Sequence, residues 1–200
     1  MTTSYSTNPE SVPESALNDI GLHEKITAID PAVTGGLYAI DKLQAHLANV
    51  RHLAISIFVV SGSSLLIQRR ASTKYHSANL WANTVCSHPR WQETPEHCAQ
   101  RRLQEELGWT VPLKPFGQID YAAQVGELYE NEQVHCFWGR FDESIDTANF
   151  NTREVGAVNW LTIPEILQQM DQQPQTFTEW FKIYMTNHHE MISTALQQPG

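Results

Sequence analysis

The chain has 200 residues, 41% of them hydrophobic, and a formal net charge of −9 at pH 7, which fits one globular domain with a full core. The acidic balance argues against nucleic acid as a partner and makes local clusters of basic residues informative. The three cysteines lack the spacing of a disulfide framework, and neither a membrane-spanning apolar run nor a signal-peptide pattern is present, so we expect a cytoplasmic protein without a membrane partner.

The start of the chain differs in composition from the rest. Residues 1–20 are rich in Ser, Thr, Pro and Asn and contain hardly any large apolar side chain. Such a segment buries too little surface to offset the entropy lost on ordering. We therefore predict a disordered tail over 1–20 and a single catalytic domain over 21–200.

The first part of the domain is predicted to contain strands and one helix. A short strand over 25–30 precedes a Pro- and Gly-rich turn at 30–36. Residues 37–50 have apolar positions compatible with a short helix that carries Lys42 and His46. Two β-rich runs follow at 53–60 and 65–70, and the polar Ser-Gly-Ser-Ser between them predicts a β-hairpin.

A group of basic residues follows this hairpin. It ends at Arg69 and Arg70, and Lys74 lies four residues further on. In so acidic a chain, this cluster indicates an anionic substrate, and a guanidinium is well suited to phosphate. The alternative is that these residues only solvate the edge of the sheet.

The segment 83–108 concentrates the reactive residues of the chain, and its second half is predicted to be a helix. Thr94 can cap the helix, Pro95 suits its first position, and Gly108 supplies a left-handed stop. Apolar residues recur every four positions on one side, which predicts a face against the core.

The spacing of charged residues in this segment resembles the Nudix box, Gly-x5-Glu-x7-Arg-Glu-apolar-x-Glu-Glu-x-Gly. The matching residues are Glu93, Arg101, Leu103, Glu105, Glu106 and Gly108. Ser87 stands in place of the first glycine, and Arg102 stands in place of a glutamate. In Nudix hydrolases this glutamate helps to hold the metal that activates water, so Arg102 makes a hydrolase less favoured. The same charges, taken alone, are also typical of solvated ion pairs on a helix.

The second half of the chain is predicted to alternate strands and helices. Strands are predicted over 116–125, 132–141 and 155–161, and helices over 163–170 and 176–196. The whole pattern predicts an α/β or α+β sandwich, with a mixed β-sheet flanked by helices.

Five residues outside the box are candidate metal ligands. They are three histidines and two glutamates: His46, His52, His88, Glu130 and Glu132. In an extended segment, Glu130 and Glu132 lie on the same side and can face one ion. A mixed set of imidazoles and carboxylates suits Mn, Mg, Fe or Zn. With nine histidines in the chain, a chance grouping is the alternative.

Several motifs together resemble one family. The segments RHLAISIF, LLIQRRASTKYHSANLWANTVCSHP, RRLQEELG, YENEQV and TFTEW resemble the type I isopentenyl-diphosphate isomerases, metal-dependent members of the Nudix superfamily. The resemblance covers residues 25–180 approximately. It implies a Nudix-like fold and the interconversion of isopentenyl and dimethylallyl diphosphate, small C5 diphosphates, for isoprenoid biosynthesis.

The resemblance also implies roles for particular residues. It places Mn²⁺ or Zn²⁺ at the five candidate ligands and makes Cys86 and Glu132 the opposed proton carriers, assisted by Tyr121. It assigns Glu106 to a Mg²⁺ ion bound with the diphosphate and Trp180 to the hydrocarbon pocket. The residues that it assigns to the diphosphate itself are Lys42, Arg70, Lys74 and Arg102.

The chain departs from this family at two further places. The spacing from His46 to His52 is one residue shorter than in the bacterial form, and Ser-Ala-Asn at 77–79 replaces a common Ser-Pro-Gly turn. Two other functions stay open from the sequence. One is a Nudix hydrolase acting on a nucleoside-diphosphate derivative, and the other is a catalytically silent Nudix-like binding module.

Overall fold

The computed structural model describes residues 24–141 and 149–197, so the tail predicted over 1–20 lies outside the described residues. These residues form one mixed sheet with helices on both faces. Its strands are β1 Lys25–Ile29, β2 Leu37–Asp41, β3 His52–Ser61, β4 Ser64–Arg70, β5 Trp81–Ala82, β6 Val85–Ser87, β7 Lys114–Val125, β8 Leu128–Arg140 and β9 Val155–Thr162.

Strand β3 is the centre of the sheet. It pairs antiparallel with β1, β4 and β6 and parallel with β8. The β3–β4 hairpin turns at Gly62, whose φ of 57° is the left-handed conformation that glycine adopts without steric penalty. Strand β7 pairs with β8, and β9 pairs with β4, which extends the sheet on both sides. The predicted hairpin and mixed sheet are therefore confirmed.

Five α-helices complete the fold of the described residues: α1 Lys42–Leu47, α2 Pro95–Leu107, α3 Ile163–Gln172, α4 Glu179–Asn187 and α5 His189–Leu196. A 3-10 turn at Pro174–Thr176 joins α3 to α4. None of these helices has the length and apolar character needed to cross a bilayer.

The helices form two layers because β3 is apolar on both sides. Ile55 and Ile57 belong to the core under α2, whereas Ala54 and Phe58 belong to the core under α3, α4 and α5. Side chains alternate between the two faces of a strand, and a strand buried on both faces has a nearly continuous apolar sequence. Ser56 interrupts that sequence and faces the α4 side.

Helix α2 begins and ends as its sequence predicts. The Thr94 hydroxyl accepts a hydrogen bond from the backbone N–H of His97, and Pro95 occupies the first turn. Gly108 ends the helix with a φ of 73°. The helix packs on the sheet through its buried apolar side, as predicted.

The prediction of one helix over 37–50 was wrong in its first part. Residues Leu37–Asp41 form β2, which pairs residue by residue with β1 across a turn containing Gly35, with a φ of 71°. Pairing with a neighbouring strand overrides the weak helical pattern of so short a segment. Only Lys42–Leu47 is helical.

The two later segments differ from prediction at their boundaries. The helix predicted over 176–196 is divided at His188, whose φ of −132° is not helical, into α4 and α5. The strand predicted over 132–141 begins earlier, at Leu128, because a tight turn at Gly126 places Leu128 opposite Val125 of β7. Glu130 is therefore within the strand.

Candidate active site

Strand register brings the reactive side chains together on one face of the sheet. His52 of β3 lies opposite Glu132 of β8, and Tyr121 of β7 lies opposite the same glutamate. Four residues further along β3, Ser56 lies opposite Cys86 of β6. The fold thus places a histidine, a carboxylate, a phenol and a thiol on the face covered by α4.

The five candidate metal ligands form one cluster. Their ligating atoms all lie within 4.8 Å of one another. His46 comes from α1, His52 begins β3, and His88 follows β6. Glu130 and Glu132 lie two residues apart on β8 and so share one face of the strand. The short spacing between His46 and His52 does not keep His46 out of the cluster, because α1 ends close to the start of β3.

Two of the histidines have their metal-facing nitrogens fixed. The Nδ1 atom of His46 lies 2.7 Å from the carbonyl oxygen of Lys42, and the Nδ1 atom of His52 lies 2.7 Å from that of Val50. Because a carbonyl only accepts, each Nδ1 donates and each Nε2 presents its lone pair. Both Nε2 atoms are buried and make no hydrogen bond, although that of His46 lies 3.3 Å from an oxygen of Glu130 and that of His52 lies 3.6 Å from an oxygen of Glu132. Orphaned lone pairs of this kind suit a metal ion.

The two carboxylates of the cluster need a positive partner. Glu130 and Glu132 are 3% and 6% exposed. Two adjacent buried carboxylates in ionised form are unfavourable without a counter-charge. The donor set of three imidazoles and two carboxylates therefore fits a divalent cation.

Glu132 connects the cluster to the reacting side of the cavity. One oxygen lies 2.8 Å from the Nε2 atom of His88, and the Tyr121 hydroxyl donates to the other at 2.8 Å. Burial and the nearby Glu132 charge raise the pKa of Tyr121 well above its ordinary value. Tyr121 therefore stays protonated and remains a donor to the carboxylate.

The Cys86 thiol is held in a fixed orientation. It donates to the Oδ1 atom of Asn83 at 2.8 Å and lies 3.3 Å from the Ser56 hydroxyl, which in turn donates to Tyr184 at 3.0 Å. The amide of Asn83 donates to the carbonyls of Ile57 and Val85, so its oxygen must face the thiol. Burial raises the pKa of Cys86 above its ordinary value, and the group is a neutral thiol at pH 7.

A single cavity of about 520 Å³ joins the thiol, the carboxylates and a basic end. The cations that line the cavity include Lys42, Arg70, Lys74 and Arg102. Burial and the charges of the other three lower the pKa of Lys42 from 10.5 to about 8. A group of cations that repel one another in this way is typical of a site for a multiply charged anion.

Helix α2 contributes Arg102 and Glu106 to the same cavity. Arg102 donates to one oxygen of Glu106 at 2.7 Å, and the amide of Gln68 donates to the other at 2.9 Å. Both adjacent glutamates line the cavity, but Glu106 is 3% exposed, whereas the Glu105 side chain is 38% exposed. Glu106 is therefore the more deeply buried of the two.

An indole ring closes the remaining side of the cavity. Trp180 of α4 is buried, and the guanidinium carbon of Arg70 lies 5.2 Å from its ring centroid. Its Nε1 atom has no hydrogen-bond partner. The ring therefore faces the basic end of the cavity on one side and the apolar core on the other.

The sequence matches known proteins over most of its length. Residues 50–181 match the NUDIX domain family. An isopentenyl-diphosphate Delta-isomerase of Cereibacter sphaeroides is 43% identical over 167 residues, covering 82% of this chain and 94% of that protein. The chain belongs to the isopentenyl-diphosphate Delta-isomerases of the NUDIX family. Another member, from Dinoroseobacter shibae, is 44% identical over 163 residues, covering 80% and 92% of the two chains.

Solved structures of other proteins have the same fold as this chain, although their sequence identity to it is lower. DR0079 from Deinococcus radiodurans matches 74% of this chain and 90% of its own, with a TM-score of 0.59 and 19% identity. A MutT NUDIX hydrolase from Burkholderia pseudomallei matches 69% and 98%, with a TM-score of 0.53 and 17% identity. These likenesses confirm the predicted Nudix-like sandwich and carry no information on substrate.

Sequence reasoning did not identify several polar residues around the site. His76 lies 3.6 Å from Glu130, Asn83 and Ser56 contact the thiol, and Glu154 pairs with two of the cations. The NTVCSHP segment contained the signal for Asn83, since an asparagine three residues before a cysteine at the start of a short strand can reach the thiol. No local pattern pointed to Ser56 or Glu154, because their partners are distant in the sequence.

Proposed function

We propose that this enzyme reversibly interconverts isopentenyl diphosphate and dimethylallyl diphosphate. The observation that carries this proposal is the presence, in one cavity, of a neutral thiol at Cys86 and a carboxylate at Glu132 that is joined to Tyr121. Moving a double bond by one position requires that one carbon gain a proton and another lose one. Two proton carriers in the same cavity, Cys86 and Glu132, meet that requirement.

The chemical step is assigned to these two groups. A proton is delivered to one end of the C=C bond, which leaves a tertiary carbocation, and a proton is then removed from the carbon on the other side of that centre. Cys86 and Glu132 are the two carriers, and the Tyr121 hydroxyl orients Glu132 and stabilises its negative charge. No atom other than hydrogen is exchanged, so the diphosphate leaves the site unchanged.

The cluster of histidines and glutamates is proposed to bind Mn²⁺ or Zn²⁺. When bound, the ion stabilises the negative charge of Glu132 and so adjusts its basicity. The ion would be held by Glu132 together with His46, His52, His88 and Glu130, and the last four would not react themselves. Two carbonyl groups orient His46 and His52, which favours a site formed before the ion enters.

The basic end of the cavity is proposed to bind the diphosphate. Lys42, Arg70, Lys74 and Arg102 come from three different elements and converge on this end. Glu106 would hold a Mg²⁺ ion that accompanies the diphosphate, since a hard cation prefers carboxylate and phosphate oxygens. Binding the unreactive group in this way positions the short hydrocarbon chain between the proton carriers.

Trp180 is proposed to face the hydrocarbon chain. A carbocation in this cavity is stabilised by the negative face of an aromatic ring and would otherwise be captured by water. The buried ring of Trp180 lines the same cavity as Cys86 and Glu132. It therefore both excludes water and stabilises the intermediate charge.

The assignment favours isomerisation over hydrolysis at the diphosphate. In the Nudix box, the residue at position 102 is a glutamate of the metal site, whereas Arg102 here donates to Glu106 and neutralises it. A hydrolase also needs a water-activating carboxylate at the phosphate. The proton carriers of this site instead belong to the strands β6 and β8 and not to helix α2.

NMR of the metal-loaded enzyme with isopentenyl diphosphate and Mg²⁺ in D₂O tests this proposal. We expect dimethylallyl diphosphate that carries deuterium, because protonation draws on groups in exchange with solvent. The variant Cys86→Ser, under the same conditions, controls for the uncatalysed reaction. Release of inorganic phosphate, or unchanged substrate with metal bound, would reject the assignment.

A further inference from the structure

A short turn at residues 151–154 links two of the segments that supply the diphosphate-binding cations. On one side, the backbone N–H of Asn151 donates to the carbonyl of Glu106 at 2.9 Å, at the end of α2. On the other side, the N–H of Ala71 donates to the carbonyl of Glu154 at 3.0 Å. The turn therefore fixes the end of α2 relative to the segment that follows β4.

The side chain of Glu154 also joins these two segments, because it pairs with a cation from each of them. Its carboxylate lies 2.8 Å from the Nζ atom of Lys74 and 3.2 Å from the Nη2 atom of Arg102. Lys74 follows β4, and Arg102 belongs to α2, so these two cations have no common element to hold them together. The carboxylate is 21% exposed and lines the cavity. Lys74 and Arg102 lower its pKa despite its burial, so it is ionised.

Arg102 has a second carboxylate partner inside the cavity, Glu106, at 2.7 Å. If Glu106 turns to Mg²⁺ when the diphosphate binds, Arg102 loses that partner. Glu154 stays in place because the turn is fixed by its backbone, and it continues to hold the guanidinium. Cations held in place before binding lose less entropy when the ligand arrives.

We propose that Glu154 is a positioning residue of the diphosphate site, which holds Lys74 and Arg102 at the spacing that the diphosphate requires. This inference rests on the proposed function, because that function assigns the two cations to the diphosphate. Glu154 itself contacts neither the hydrocarbon chain nor the proton carriers. Its effect is therefore on binding of the diphosphate and not on proton transfer.

Electrostatics alone predicts the opposite effect. A carboxylate close to an anion repels it, so its removal would strengthen diphosphate binding. A positioning role predicts weaker binding after the same removal. The direction of the change thus separates the two accounts.

Binding of inorganic pyrophosphate with Mg²⁺ to the metal-loaded enzyme, measured by calorimetry, tests the inference without requiring turnover. For Glu154→Gln we expect a Kd at least 10-fold higher, and for isopentenyl diphosphate a raised KM with kcat within about threefold. Glu154→Asp keeps the charge but shortens the side chain, and we expect an intermediate Kd. The control is Asp120→Asn, which removes one carboxylate paired with an arginine, Arg51, on the exposed face of β7.

The outcomes separate the inference from the proposed function. Unchanged or tighter pyrophosphate binding by Glu154→Gln overturns the positioning role and leaves the isomerase proposal intact. The same holds if Asp120→Asn weakens binding equally, or if wild-type enzyme isomerises its substrate without binding pyrophosphate. A wild-type enzyme that binds pyrophosphate but does not isomerise isopentenyl diphosphate overturns the proposed function instead.

Discussion

Replacement of Lys42 by methionine should stabilise the folded protein while it weakens diphosphate binding. Burial in the cavity, together with the charges of Lys74, Arg102 and Arg70, lowers the pKa of Lys42 from 10.5 to about 8. A cation whose pKa is lowered by folding destabilises the folded state. Methionine has a similar length and no charge, so it removes this unfavourable interaction.

The pKa difference sets the size of the effect. One pKa unit corresponds to about 1.4 kcal/mol, so the lowered pKa of Lys42 corresponds to an upper limit of about 3 kcal/mol at pH 7. Below pH 8 the lysine is charged in both states and the full penalty applies. As the pH rises from 8 to 10.5, the folded state is neutral while the unfolded state is still charged, and the penalty declines to zero.

Urea denaturation of wild-type and Lys42→Met proteins at several pH values between 6.5 and 10 measures this difference. We expect the variant to be more stable by about 1–3 kcal/mol at pH 7, with the gain shrinking above pH 8. Its KM for isopentenyl diphosphate should rise by at least 10-fold, because one diphosphate cation is lost. A variant less stable at pH 7, or a gain that does not change with pH, would refute the electrostatic reasoning.

Three further predictions concern the thiol, the metal cluster and one turn. Cys86→Ser should lower kcat by at least 100-fold, with metal content and thermal midpoint nearly unchanged, because only a proton carrier is altered. Treatment with a chelator should lower the thermal midpoint, since Glu130 and Glu132 lose their counter-charge, and Mn²⁺ or Zn²⁺ at 100 times its Kd should restore about 2.7 kcal/mol. Asn79→Gly should stabilise the protein to urea by up to about 1 kcal/mol, because Asn79 is exposed with a φ of 63°.

Each of these predictions has a clear contrary result. Wild-type activity of Cys86→Ser would remove the thiol from the mechanism. A thermal midpoint that does not respond to the chelator, in protein shown by elemental analysis to have contained metal, would contradict the electrostatic role of the cluster. Lower stability of Asn79→Gly would show that the asparagine side chain contributes more than its backbone strain costs.

Those parts of the fold with local signals were predictable from the sequence. Thr94, Pro95 and Gly108 act within one helix, so their residue types alone locate both its ends. The alternation that places Glu130 and Glu132 on one side of a strand is likewise local. The break at His188 was not predictable, because the apolar pattern runs through it and only packing against the sheet divides the segment into two helices.

The candidate site was predictable in part, from its histidines, glutamates and basic residues and from the resemblance to a family, but its supporting residues were not. Ser56 is an ordinary polar residue in an apolar strand until the register of β3 and β6 places it beside Cys86. Glu154 is one of many acidic residues until the turn at 151–154 brings it to Lys74 and Arg102. Such contacts join residues distant in sequence, and no pattern within a single segment determines them.

The arrangement of charge explains how a Nudix fold can support proton transfer to carbon. Helix α2 and the metal cluster lie at different places on the sheet: α2 packs on the face of Ile55 and Ile57, whereas the cluster and the thiol lie on the face of Ser56. Arg102 reduces the negative charge of the helix end, which makes that end suitable for binding a diphosphate. In the proposed mechanism, the negative charge needed to accept a proton lies instead on β8, at Glu132. The proposed binding and chemical roles therefore belong to different elements that line one cavity, helix α2 for the diphosphate and the strands β6 and β8 for proton transfer.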